Sequence, residues 1–513
     1  MNALVGVRLC ILSGNESKTL KLIYFLVFVL YATAQAQQPT SADHDRLKAK
    51  DILEKSKDAL DRDHVLSSIL TLEVNYTSSN NLIGQNSSPE FPYSAIWYEG
   101  TMVFNLSQNS VVNDFKFEGG GSSFRQRVFG YADKAYFLDM DKIVLPGKAF
   151  SFPLRSTLSY KRRIVPFWLD YILGGNFSIR YNGIQKMDGI DHYSITVEEL
   201  SNVVLYINKE TLLPLKIVTY SNEPRSYPLS EIIFQSYRVL DNGILIPNEI
   251  TTFSNGIKQS TIIHQAIKFN KAANASLLLV PKGYELTDKL EEASVEEIAS
   301  NIFFVKDLET GYNATFVNCA DHIVILDAPL SSGFSEKTIN VIRQKFSNKP
   351  IKWVILSHYH NDHIGGLLRF IQQGAGMIST KVMYDFSIRT MEESAEFNSK
   401  QVEQLAHIEV MKDTLIHDGL TPMRVLRIKN SHVNDMIMVY FPKQKVLWQA
   451  DFLLREDKPG NLSAGSRLVE ELNRTISSQA IQKHDLDIII GVHGRPATFD
   501  DMLELMQKRK GKS

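Results

Sequence analysis

Cysteine is nearly absent from this chain: there are two in 513 residues, Cys10 and Cys319. Cys10 lies in an N-terminal stretch that reads as a removable leader, so Cys319 is left alone and no intrachain disulfide can form. With Phe316 and Val317 beside it, that thiol is expected in an apolar core. Also absent is an excess of either charge. The 56 Lys and Arg against 57 Asp and Glu give a formal net charge of -1, which removes the basic footprint expected of a nucleic-acid binder. The basic tail Lys508, Arg509, Lys510 and Lys512 reads as a solvated helix end. The apolar run Leu22 to Ala32 falls short of the ~20 residues a membrane span needs. It follows Lys18 and Lys21 and precedes Ala34-Gln35-Ala36, which together describe a secretory signal peptide. Residues 1–36 are therefore set apart from the fold. The chain is expected to be secreted or periplasmic, with no permanent membrane anchor. Gly119-Gly120-Gly121-Ser122 lacks the lysine and spacing of a phosphate-binding loop.

What remains is an ordinary globular composition, 44% hydrophobic and 22% charged, on a chain long enough for two or three domains. Two kinds of patterning divide it. Residues 45–285 open with a short helix, Asp45 to Leu60, and then read as strands, such as Met102-Val103-Phe104, His192 to Val197 and Val203 to Ile207. The turn pairs Asp188-Gly189, Asn242-Gly243 and Asn255-Gly256 suit tight hairpins. A large antiparallel sheet or open barrel is expected. The stretch 286–300, carrying Glu291, Glu292, Glu296 and Glu297, reads as a linker or interdomain helix. In residues 301–513, strands alternate with helices. Ile323 to Leu326 and Trp353 to Leu356 are short apolar runs, as expected of strands covered on both faces. Ser335 to Phe346 has helical spacing, a hairpin turns around Pro442-Lys443-Gln444, and a last strand runs from Leu486 to Val492. This is the grammar of a layered α/β domain.

Directly after the strand ending in Leu356 comes Ser357-His358-Tyr359-His360-Asn361-Asp362-His363, followed by Gly365-Gly366. Three imidazoles and a carboxylate packed just past a strand end are the donor set that Zn²⁺ and similar cations prefer.

This motif resembles the metallo-β-lactamase superfamily, whose signature is His-x-His-x-Asp-His, and His432 after Val425 to Ile428, Asp451 after Val446 to Ala450 and His493 after Ile488 to Ile490 stand where that family places its remaining ligands. The resemblance implies an αββα sandwich at the C-terminus. It implies one metal on His358, His360 and His432, a second on Asp362, His363 and His493, and Asp451 between the two. Asp327 matches an aspartate that steadies the ligands. Two divalent cations, Zn²⁺ first with Fe or Mn as alternatives, could share a hydroxide and polarise a substrate oxygen. Asp362 and Asp451 are then the catalytic carboxylates, with Asp362 orienting the nucleophile or moving its proton. Asp at 451, where the best-known lactamase class has cysteine, points instead to hydrolysis of an ester, thioester, lactone or related bond in a small-molecule substrate. His360 argues against the di-iron oxygen-reductase branch. The sequence departs from the pattern at Val433-Asn434-Asp435 and at Gly491-Val492, which puts the hydrogen bonding around the ligands and the groove shape in question. The loop Ser387 to His407, with Glu392, Glu393 and Glu396, is expected over the site, and Tyr312-Asn313 in the cleft wall.

In the first half, Tyr206-Ile207-Asn208 leads through a turn to Leu213-Pro214-Leu215-Lys216. This segment resembles periplasmic lipoprotein-carrier and lipoprotein-sorting families. That resemblance implies a β-rich half-barrel with an apolar concave face, and hence a hydrophobic substrate. Two alternatives stay open: a lipid- or ligand-binding envelope protein with an auxiliary metal domain, and a mononuclear iron-dependent redox enzyme on the same scaffold.

Overall fold

The computed structural model describes residues 41–510 except 109, 120–121, 132–133, 140–147, 154–161, 199–201, 221–228, 271–276, 280–284, 288–293, 310–311, 393–399, 401–402, 418 and 454–466. The signal-like stretch 1–36, Glu393 and Glu396 therefore lie outside the described residues, as do the side chains of Lys508, Arg509, Lys510 and Lys512. Among the described residues no helix is long and apolar enough to cross a membrane.

The first half builds a 14-stranded sheet. Strands from Thr71–Asn81 to Lys148–Pro153 and from Ser178–Met187 to Ile257–Phe269 form two antiparallel meanders. They join where the first strand, Thr71–Asn81, pairs with Ile257–Phe269, with Leu72 opposite Phe269. The hairpin pairs do what their chemistry predicts. Asp188 and Gly189 both have positive φ (50° and 82°), as do Asn255 and Gly256 (47° and 76°). These left-handed conformations match the twist of the flanking strands and are tolerated by Asn, Asp and Gly. The helix expected from Asp45 runs Ser41–Leu60. Its Ala49, Ile52, Leu53 and Leu60 join Trp168 and Leu169 of the helix Val165–Gly174, and Ile195, Val203 and Leu205 of the sheet, in one buried cluster. One sheet face is thus closed by helices, which is how an antiparallel sheet buries its apolar side.

The charged stretch 286–300 corrects the expectation of an interdomain helix. Its described parts are strands, Glu285–Thr287 and Ser294–Ala299. The second of these pairs antiparallel with Ile302–Glu309, at the edge of a 7-stranded sheet. Its glutamates face solvent, and charge on an edge strand blocks further pairing. Ser335 to Phe346 is helical as predicted, but the helix begins earlier, at Ser332, where the Ser331 side chain accepts from the Phe334 amide.

The second half contains this 7-stranded sheet and a 5-stranded one, whose strands are Thr414–Ile416, Met423–Ile428, Met436–Phe441, Val446–Gln449 and Ile488–Gly491. A single buried cluster fills the space between them and includes Phe316, Leu326, Val354, Trp448 and Ile489, with Cys319 at 0% exposure. Helices Ser332–Lys345, Leu367–Gln372 and Lys381–Glu392 contribute Phe334, Ile339, Leu368 and Met383 to it. Helices Arg467–Ser478 and Phe499–Lys510 contribute Leu472 and Met502. The result is helix, sheet, sheet, helix, the αββα layering, preceded by the β-rich half.

Candidate metal centre

The sequence-identified site residues are carried on segments just beyond the carboxyl ends of strands of the two facing sheets, the usual place for a site in a layered α/β fold. Asp327 follows Ile323–Leu326, His358 follows Ile351–Ile355, His432 follows Met423–Ile428, Asp451 follows Val446–Gln449 and His493 follows Ile488–Gly491. The turn carrying the motif packs on the backbone of 327–330: Ala328 N donates to His363 O (3.0 Å), and Leu330 N to Asp362 O (3.1 Å). Gly365 and Gly366 permit that approach, because a Cβ on either would overlap the Leu330 carbonyl or the Ser335 hydroxyl.

The structure brings all seven candidates together in two groups. His358, His360, His432 and Asp451 form one, and Asp362, His363 and His493 the other, each with its ligand atoms within 4.8 Å of one another. Asp451 faces both. Its Oδ2 lies 2.8 Å from His432 Nε2 and 3.3 Å from His358 Nε2. Its Oδ1 lies 3.1 Å from His363 Nε2 and 3.2 Å from His493 Nε2.

Hydrogen bonds settle which ring nitrogen is free. The Ser357 hydroxyl donates to Asp327 Oδ2 (2.6 Å), so at 3.0 Å it must accept from His358 Nδ1. His363 Nδ1 donates to the same Asp327 oxygen at 2.8 Å. Both histidines therefore keep their Nε2 lone pairs for the centre. His358 Nε2, His432 Nε2 and Asp451 Oδ1 are buried without a hydrogen-bond partner, despite their short separations. Atoms that approach so closely without sharing a proton along a hydrogen-bonding line are aimed at a common point. Three orphaned donor atoms, buried among imidazoles and carboxylates, fit divalent cations.

Electrostatics agree. Burial alone would raise Asp451 and Asp362, but the surrounding imidazoles, His363 foremost, hold both below the usual carboxylate range. Burial drives His358 well below its ordinary value and His360 down to about 4, so both stay neutral as ligands must. His363 and His493 go the other way. Burial would lower them, yet Asp451 and Asp362 raise His363 well above 6.5 and His493 to about 9. The second group thus demands positive charge, which protons supply when no cation does.

Tyr312 and Asn313, expected in the cleft wall, do more than line it. Tyr312 Oη donates to Asp362 Oδ2 (3.0 Å), and its ring meets His493 edge-on at 4.5 Å. Asn313 holds the His493 loop through Val492 O (2.7 Å) and Gly494 O (2.6 Å). The departure at 433–435 is explained in part: Asp435 is buried and binds Arg427 at 2.9 and 3.2 Å. Sequence reasoning did not single out Gln85 and Asn86, from the first half. Gln85 Nε2 donates to Asp362 Oδ1 (2.6 Å), and the Asn86 carbonyl accepts from His360 Nε2 (2.9 Å). They stand in a polar connection with no motif.

Residues 309–466 match the family model described as Metallo-beta-lactamase superfamily. A metallo-beta-lactamase type 2 of Bacillus sp. (strain 170) is 21% identical over 211 residues, covering 39% of this chain and 76% of that protein. A linear primary-alkylsulfatase of Pseudomonas sp. (strain ATCC 19151) is 21% identical over 224 residues, 37% of this chain but 42% of the relative. Among solved structures, a metallo-beta-lactamase from Pontibacter korlensis is 14% identical with a TM-score of 0.34, spanning 43% of this chain and 100% of that one. The likeness to the metallo-beta-lactamase superfamily thus lies in residues 309–466, the part of the chain that carries His358 to Asp451.

Proposed function

We propose that this chain is an exported binuclear metal-dependent hydrolase that cuts an ester, thioester, lactone or related bond in a small-molecule, hydrophobic substrate. The observation that carries this is Asp451, whose two oxygens are divided between two groups of imidazole nitrogens. His358, His360 and His432 would hold one cation and Asp362, His363 and His493 the other. Divalent ions, Zn²⁺ first with Fe or Mn as alternatives, supply Lewis acidity and a nucleophile at neutral pH when bound.

The chain's own residues do the rest. Asp362 has a donor on each oxygen, Gln85 on Oδ1 and Tyr312 on Oδ2. So held, and kept ionised, it can orient a nucleophile by accepting a hydrogen bond from it rather than act as an acid. Asp327 fixes His358 through Ser357 and His363 directly. The lysine-flanked apolar stretch before Ala36 supports export. Phe91, 82% exposed, lies in the same connection as Gln85, and together with the half-barrel resemblance it supports an apolar substrate group.

The test pairs metal analysis of the purified chain with turnover on a panel of esters, thioesters, lactones, alkyl sulfates and cephalosporins. About two equivalents of zinc are expected. Asp451→Ala should leave no more than one and abolish turnover, here a loss of at least ~10³-fold. One iron with oxygen uptake, or wild-type turnover in Asp451→Ala, would refute the proposal.

A further inference from the structure

The connection between the strands Thr71–Asn81 and Ala95–Asn105 leaves the first-half sheet and lies against the ligands of the second half. Three of its carbonyls accept there. Gly84 O takes the Asn361 amide (3.0 Å) and Ser87 O the Asn434 amide (2.8 Å). Asn86 O takes both Tyr359 Oη (2.6 Å) and His360 Nε2 (2.9 Å). Gln85 reaches Asp362, and Glu90 pairs with Arg389 at 2.9 Å. The Asn361 and Asn434 groups that donate here are backbone N–H groups.

Asn86 is 4% exposed, and its side chain ties the connection together. Its Nδ2 donates to Ser88 O and Pro92 O, and its Oδ1 accepts from the Ser94 amide, each at 3.2 Å. The asparagine amide therefore holds its own carbonyl in place. A carbonyl can only accept, so the bond to His360 requires a proton on Nε2. In a neutral imidazole this leaves the lone pair on Nδ1. His360 thus presents a different nitrogen from His358 and His363, and a residue of the other half of the chain makes the selection.

We infer that the segment 82–94 is a working part of the metal centre: Asn86 is a positioning residue for His360 and Gln85 for Asp362, so the centre is complete only with both halves docked. This rests on the metal-ligand reading proposed above. Outer partners of this kind typically change metal affinity by ~10- to 100-fold.

The experiment uses the full chain as wild type, Asn86→Ala and Gln85→Leu. Zinc affinity is read by competition with a chromophoric chelator, ligand geometry by the absorption bands of the cobalt(II)-substituted protein, and folding by thermal melting without metal. Asn86→Ala should lose ~10- to 100-fold in affinity at one site and shift the cobalt bands. Gln85→Leu should weaken the other site while the metal-free melting point stays at the wild-type value. If Asn86→Ala does not fold, Gln85→Leu decides, since Gln85 is exposed. Wild-type affinities and cobalt bands in the variants that fold would overturn the inference and leave the metal reading standing. A wild type that binds no zinc would overturn that reading, and this inference with it.

Discussion

Asp327 carries none of the cluster's proposed ligand atoms, yet the candidate centre depends on it. Three donors converge on its carboxylate: Ser357 N and Oγ, each at 2.6 Å, and His363 Nδ1 at 2.8 Å. Its φ is +61° at 1% exposure, a left-handed conformation that aspartate adopts more readily than most residues. Asp327→Asn would turn an N–H toward these donors. Zinc binding is expected to weaken by ~10- to 100-fold, measured by chelator competition, and wild-type affinity would contradict this role. His264 shows the same logic away from the site. Its Nδ1 donates to Pro247 O (3.0 Å) while its Nε2 is buried without a hydrogen-bond partner. Burial foremost, with Arg163 and Arg238 adding to it, lowers its pKa from 6.5 to about 4. Between those two values the unfolded chain binds a proton that the folded chain refuses. Stability contributed by this group therefore falls as pH drops from 6.5 toward 4, by at most ~1.4 kcal/mol per pH unit, and is constant above. His264→Asn keeps a donor for Pro247 and removes the titration. Its denaturation midpoint should fall less steeply than the wild type's in that window, and parallel slopes would assign the acid sensitivity to other groups.

At the scale of elements, local chemistry was legible wherever the backbone was decided locally. The pairs Asp188-Gly189 and Asn255-Gly256 predicted hairpins and form them. The apolar run at 323–326 predicted a buried strand and forms one, while the run at 353–356 lies in the strand Ile351–Ile355, which stops before Leu356 and leaves Lys352 exposed. The glutamate-rich stretch 286–300, expected to be a linker or interdomain helix, holds the strand Ser294–Ala299 instead. Its exposed side chains and edge pairing to Ile302–Glu309 outweigh the helical preference of glutamate. The connection 82–94 had no readable signature, because carbonyls do its work. Gly84 marks where it can be tested. Its φ is +67° and a Cβ there would overlap the Asn361 side chain. Gly84→Val should displace the connection and reduce zinc affinity while the far-ultraviolet dichroism of the large sheet is retained. Unchanged affinity would mean that the connection shifts without disturbing the ligands.

For the whole molecule, these contacts predict that metal binding couples the two halves. Zinc at ~100 times its dissociation constant should stabilise the folded state by about 2.7 kcal/mol. Hydrogen exchange should show that protection reaching the Asn361 and Asn434 amides, which are bound to Gly84 O and Ser87 O. Protection confined to the strands of the second half would show the two halves to be independent. From the sequence alone the layered second half was legible in its strand periodicity, and the proposed ligands His358, His360, Asp362 and His363 in a ligand-rich turn at a strand end, both local properties; His432, Asp451 and His493 were proposed from their likeness to the metallo-β-lactamase pattern. The partner that sets the protonated nitrogen of His360 and the groups that hold Asp362 are visible only in the folded chain. Those depend on the docking of Gln85 and Asn86 onto residues as many as 277 positions away, and no local pattern encodes a contact made by a backbone carbonyl.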